Sequence, residues 1–100
     1  MSPNETRVLR IAEARGILNN IGQLSRIMGI STNYVTNICD SLIRNGYLMR
    51  TTSRGYELAP KGKEVILGLL YEDKGRIEAR IKRLRQLEEK VNEKIGKLEI

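Results

Sequence analysis

Histidine is absent from this 100-residue sequence, and cysteine occurs once, at Cys39. Without histidine, acid–base catalysis near neutral pH loses its usual side chain, and ordinary zinc sites lose a principal ligand. A single cysteine excludes an internal disulfide and fits a reducing, intracellular setting. No stretch approaches the roughly 20 apolar residues that a membrane span needs. The opening MSPNETRVLR has no apolar core of the secretion-signal type. There is also no phosphate-cradling glycine loop, no metal-ligand cluster and no nucleophile set beside a base. These absences lead us to expect a cytoplasmic protein that is not an enzyme. No cofactor, membrane or small-molecule ligand is expected.

What is present is charge and helix. Charged residues make up 30% and hydrophobic residues 40%, enough for a small core and too much for disorder. The net charge is +6. A basic balance in a short chain favours a polyanionic partner. Residues 1–71 hold nine basic and five acidic residues, and residues 72–100 hold nine and seven, so most of the excess is in the first part.

Ser2, Pro3 and Glu5 form a capping-box start for a first helix, which carries Val8, Leu9, Ile11 and Ala12 and ends at Gly16. "ILN" suits a very short strand. A second helix, residues 21–28, is capped by Asn20 and has Ile21, Leu24, Ile27 and Met28 on one stripe. Gly29 closes it. Ser31 and Thr32 then cap a third helix, to about residue 45, stopped by Gly46. Helix, short glycine turn, helix is the helix-turn-helix pattern. "YLMRT" and "YEL", separated by "TSRG", read as a hairpin. Pro60 starts a fourth helix.

From about Glu72 the composition shifts to Glu, Lys, Arg, Ile and Leu. Ile77, Ile81, Leu84, Val91, Ile95 and Leu98 are spaced 4, 3, 7, 4 and 3 apart. This is a heptad seam with Glu88 in the one missing slot and Leu87 beside it. At ~1.5 Å per residue this helix spans roughly 40 Å, too long for a small globular part to cover. A second copy is the simplest cover, so a homodimer is expected through Ile77, Ile81, Leu84, Leu87, Glu88, Val91, Ile95 and Leu98. Gly75 offers a joint between helix four and this segment. The expected division is a DNA-binding domain over 1–71 and a coiled-coil dimerisation helix over 72–100.

The order is that of a winged helix: mainly α, with a helix-turn-helix, a short β-hairpin wing and a long C-terminal helix. The third helix is then the recognition helix. Projected at 100° per residue, Val35, Ile38, Cys39, Leu42 and Ile43 fall on one side. Asn33, Thr36, Asn37, Asp40 and Arg44 fall on the other, with Tyr34 and Ser41 on a flank. Asparagine can pair bidentately with an adenine edge, hydroxyls can bond bases or phosphates, and a helix N-terminus attracts phosphate. An arginine at a wing tip can enter a minor groove or clamp its phosphates. The expected contacts with double-stranded DNA are Ser31, Thr32, Asn33, Tyr34, Thr36, Asn37, Ser41 and Arg44 from the helix. Arg50, Thr52, Ser53 and Arg54 follow from the wing and Lys61 from helix four, with Arg26 and Lys63 as further phosphate contacts.

"LSRIMGISTNYVTNICDSLIRNGYL" followed by "YELAPKGKEV" resembles the DNA-binding core of archaeal and bacterial winged-helix regulators of the MarR-like type. The likeness covers residues 17–68, about half the chain. It implies a transcriptional regulator. The long C-terminal helix also resembles small archaeal DNA-binding proteins that dimerise through an antiparallel coiled coil. Larger MarR-like proteins have longer wings with an acidic–arginine pair, and extra helices around a ligand pocket. The short wing here and the absence of those helices argue against small-molecule sensing.

Competing readings stand beside these. An architectural, chromatin-like binder of low sequence specificity would use the same surface, and a winged helix can also dock a protein. Tyr34 suits packing against helix two as well as contact with DNA, and Tyr47 and Tyr56 suit core or hairpin packing. Cys39, on the apolar face, suits an inert core residue. "RIKRLR", 80–85, suits the solvated flank of a coiled coil better than a second DNA patch. Asp40 is the chief objection to the DNA face, because an acid facing phosphate is unfavourable.

Overall fold

Ser2 starts the fold in the computed structural model, which describes residues 1–99. Its Oγ accepts the Glu5 N–H at 3.2 Å, and its own N–H donates to Glu5 Oε1 at 3.1 Å. That second bond, with the Ser2 hydroxyl next in effect, holds the Glu5 carboxyl below its ordinary pKa. Helix α1 (Pro3–Arg15) buries Val8, Leu9 and Ala12. Helix α2 (Ile21–Met28) is capped by Asn20, whose side chain accepts from the Gln23 N–H at 2.9 Å. Helix α3 (Thr32–Arg44) is capped by Ser31.

Gly29 makes the turn between α2 and α3. It has φ of 68°, the left-handed region that a side chain disfavours. Its N–H donates to the Ser25 carbonyl at 2.9 Å, and the Ser25 hydroxyl donates to the Ile30 carbonyl. The Arg7 guanidinium reaches across from α1 and donates to the Ile27 carbonyl at 3.0 Å and that of Met28 at 3.4 Å. Carbonyls that helix α2 leaves open are thus closed from outside.

Strands β1 (Leu48–Arg50) and β2 (Tyr56–Leu58) pair antiparallel, with Leu48 opposite Leu58 and Arg50 opposite Tyr56. Leu18 adds a single antiparallel bridge to Tyr56 through two 2.8 Å backbone bonds. The expected short strand is therefore one residue of pairing. Helix α4 runs from Pro60 to Leu98 without interruption. Gly75 lies inside it with open space where a side chain would be, so the expected joint is absent. Ion pairs of Lys74 with Glu78 and Arg76 with Glu72, one helical turn apart, flank that glycine.

The chain divides into a compact unit, Met1–Leu67, and a second unit beginning at Gly68. The first unit holds the core. Val8, Leu9, Val35, Cys39, Leu42 and Leu48 are the largest fully buried side chains, with Leu18, Leu24, Met28, Ile38, Tyr56, Ala59 and Ile66 around them. At about 1.5–3 kcal/mol per buried aliphatic side chain, this cluster is the main favourable term for the unit. α3 is its centre, packed on α1, α2 and β1.

Candidate nucleic-acid interface

Helix α3 divides into two faces. Val35, Ile38, Cys39 and Leu42 are buried, while Thr32, Asn33, Asn37 and Arg44 are exposed. The burial follows from the 3.6-residue period. On the polar face Thr36, Asp40 and Ser41 are half-buried, and Thr32, Asn33, Asn37 and Arg44 stay open.

Not every polar residue on that face is equally available. The Ser31 hydroxyl is spent as the cap, accepting the Tyr34 N–H at 3.2 Å. Thr36 is half-buried, and its hydroxyl donates back to the Thr32 carbonyl at 2.9 Å. Tyr34 keeps 46% of its surface, so packing on α2 does not consume it. With Asn37, Ile38 and Ser41 it lines a shallow groove that also includes Ser2 and Glu5 of the α1 N-terminus.

Asp40 has a partner that the sequence does not reveal. Its Oδ1 lies 3.4 Å from the Arg50 Nη2 across the gap between α3 and β1. Arg50 also stands 5.6 Å from the Tyr56 ring centroid. The acid that faces the polar side is therefore neutralised by the first wing residue. Both groups are well exposed, so the pair contributes little to stability, about 0–1 kcal/mol. Its effect is on position: it holds Arg50 along the α3 side.

The wing tip is built by its own side chains. Thr51 N–H donates to the Gly55 carbonyl at 3.0 Å, and Gly55 N–H donates to Thr51 Oγ1 at 2.9 Å. Thr51 Oγ1 and Ser53 Oγ are 3.1 Å apart. Arg54 takes φ of 61°, the one non-glycine residue in the left-handed region among those described. That conformation costs about 1–2 kcal/mol. Thr52, Ser53 and Arg54 are exposed at the tip.

Lys61 is turned to internal use. Its Nζ donates to the Asn45 carbonyl at the end of α3 at 3.1 Å, and sits 4.6 Å from the Tyr47 ring centroid. Arg26 donates to the Gly22 carbonyl at 3.3 Å. Among the described residues, Arg44, Arg54 and Lys63 make no side-chain hydrogen bond or ion pair. Cys39 is buried and free. Burial first, and the neighbouring Asp40 charge second, push its thiol pKa up to about 11. A thiol so held is a poor nucleophile near neutral pH.

No group of acidic, cysteine or histidine side chains suited to a metal ion occurs among the described residues. No described helix is long and apolar enough to cross a membrane. The second unit carries Ile77, Ile81, Leu84, Leu87, Val91, Ile95 and Leu98 exposed along α4, with Glu88 exposed among them.

Three comparisons bear on this surface. The MarR family profile matches residues 1–55. A crystal structure of a transcriptional regulator from Thermotoga maritima is similar over 98% of this chain and 73% of its own, at 27% identity and a TM-score of 0.72. No curated protein matches.

Proposed function

The chain belongs to the MarR family, and from that premise we propose that it is a homodimeric transcriptional regulator that binds double-stranded DNA sequence-specifically. The observation that carries this reading is the exposed polar face of α3, standing with a wing tip of Thr52, Ser53 and Arg54. Residues 1–71 would bind DNA, and residues 72–100 would dimerise. Thr32, Asn33, Tyr34, Asn37 and Ser41 would meet base edges and nearby phosphates in a major groove, with Ser31 and Thr36 presenting the helix N-terminus. Arg44 would hold the backbone, and Thr52 to Arg54 would touch the flank. Arg50 and Lys61 would add phosphate contacts only by leaving Asp40 and Asn45. The Thermotoga maritima neighbour is itself described as a transcriptional regulator, which supports the regulatory role. The protein would work by occupancy, on the nucleoid in the cytoplasm.

The test is selection from random duplexes at two salt concentrations. An enriched palindrome is the expected result, and its half-site spacing reads the dimer geometry. The double substitution Asn37→Ala with Arg54→Ala should then weaken binding to the selected site at fixed salt; unchanged affinity would reject this contact surface. The +6 net charge and the many hydroxyls on the face also favour a second reading, an architectural binder dominated by phosphate contacts. Salt-sensitive binding without enrichment selects it. Absence of binding at low salt would leave the protein-docking reading of the fold.

A further inference from the structure

Helix α4 leaves a row of apolar side chains uncovered by the chain. Leu70, Ile77, Ile81, Leu84, Val91 and Ile95 are each 42–58% exposed. Carried back from Ile77, the heptad puts Lys74 and then Leu70 in the next two slots. The seam therefore contains two charges, Lys74 and Glu88, both at the same heptad position. Charges at that position select among partners more than they stabilise.

A parallel, in-register pair would set Lys74 against the partner's Lys74 and Glu88 against the partner's Glu88. On its flanks Asp73 would meet the partner's Glu78, and Arg80 the partner's Arg85. All four contacts are between like charges. Reversing one helix removes them.

Resting on the homodimer reading above, we propose that two copies of α4 pair antiparallel in one register, with Ile81 opposite the partner's Leu84. Outward from that layer, Ile77 meets the partner's Glu88, Lys74 the partner's Val91, and Leu70 the partner's Ile95. Lys74 and the partner's Glu88 then lie on opposite helices, three residues or ~4.5 Å apart along the axis. The two seam charges thus pair with each other instead of facing apolar layers alone. The flanks agree. Glu78 lies beside the partner's Arg85 and Asp73 beside the partner's Lys94, while the stem of Arg80 covers the partner's Leu87. Two-fold symmetry repeats every contact.

The neighbouring registers fail. A slip of one heptad in one direction sets Arg80 against the partner's Arg80 and Glu78 against the partner's Glu78. A slip in the other sets Arg85 against the partner's Arg85 and Arg80 against the partner's Lys94. Within the single chain, Glu78 and Asp73 already have long contacts, 4.0 Å to Lys74 and 3.8 Å to Arg76. The 4.0 Å contact leaves the exposed Glu78 carboxylate able to accept a cation from a second helix.

Sedimentation equilibrium of the full chain at low salt tests the register. Glu78→Arg and Arg85→Glu should each raise the dimer dissociation constant roughly five- to thirtyfold, because two attractive contacts per dimer become repulsive. The double substitution restores opposite charges and should return the constant toward the wild-type value, with helical content by circular dichroism as the control for folding. In a parallel dimer each single substitution would instead tighten association. Single substitutions that tighten the dimer or leave it unchanged, or a double that fails to rescue, overturn the register while the dimer stands. A wild-type chain that stays monomeric overturns the homodimer reading itself.

Discussion

Gly62→Ala should destabilise the protein although it replaces glycine by the best helix former. Gly62 is buried in the first turn of α4. A Cβ placed there would overlap the Tyr47 carbonyl oxygen and come within 3.2 Å of Leu58 Cδ2. The same carbonyl accepts the Ala59 N–H at 3.1 Å. The methyl group can be housed only by moving α4 off the turn that leads from α3 into β1, which stretches that bond. Helix propensity favours alanine by about 1 kcal/mol. Overpacking costs about 1–3 kcal/mol, and a weakened hydrogen bond about 1 kcal/mol more. The net loss is about 1–3 kcal/mol, with each kilocalorie moving Tm by roughly 4–8 °C in a domain of this size. Gly68→Ala is the internal control. It lies in the same helix with nothing within 4 Å of the added carbon, so it should gain about 0.5–1 kcal/mol. Urea melts followed at 222 nm, at one protein concentration, measure both. If Gly62→Ala stabilises as Gly68→Ala does, the close approach of α4 to Tyr47 is wrong.

Asp40→Asn should release Arg50 toward DNA and remove a negative charge from the α3 face. Duplex affinity should rise and the slope of log K against log salt should steepen by about 1 per protomer, read by fluorescence anisotropy; an unchanged slope would show that Arg50 never reaches phosphate. Cys39 should resist a thiol reagent at pH 8 in the native protein and react at once in denaturant. Its thiol pKa is raised by folding, to about 11, so the folded state favours the proton. That contribution is complete below the unfolded pKa near 9, and stability should decline between about pH 9 and 11 as the unfolded thiol ionises first. A Cys39→Ser variant that keeps the same alkaline decline would assign it to other groups.

Much of the first unit is legible in the sequence because its boundaries are local. Ser2, Asn20 and Ser31 each cap a helix through a hydrogen bond three residues on, and Gly16, Gly29 and Gly46 each follow one with positive φ. Such signals need no knowledge of the rest of the chain. Three features escape because they join distant residues or depend on what is missing. The pairing of Asp40 with Arg50 depends on the angle at which β1 leaves α3, which no spacing encodes. Lys61 reads as a free cation in sequence, yet the close packing that Gly62 permits delivers it to the Asn45 carbonyl. Gly75 reads as a joint because glycine weakens helices, but flanking ion pairs and good helix formers carry α4 through it.

The internal contacts also sort the basic residues in a way that composition conceals. Net charge counts every lysine and arginine alike. In the fold, Arg7 closes the carbonyls of Ile27 and Met28, Lys61 closes that of Asn45, and Arg26 holds Gly22. Arg7 and Lys61 serve helix ends, and moving either onto a phosphate would expose a carbonyl it now satisfies, whereas the Gly22 carbonyl lies inside α2. Arg50 is an intermediate case: its partner is an exposed carboxylate, whose loss costs little. Arg44 and Arg54 carry no such obligation. One stands at the end of the polar face of α3 and the other at the wing tip, so neither would have to give up an internal contact to meet a phosphate, as Arg50 would have to give up Asp40.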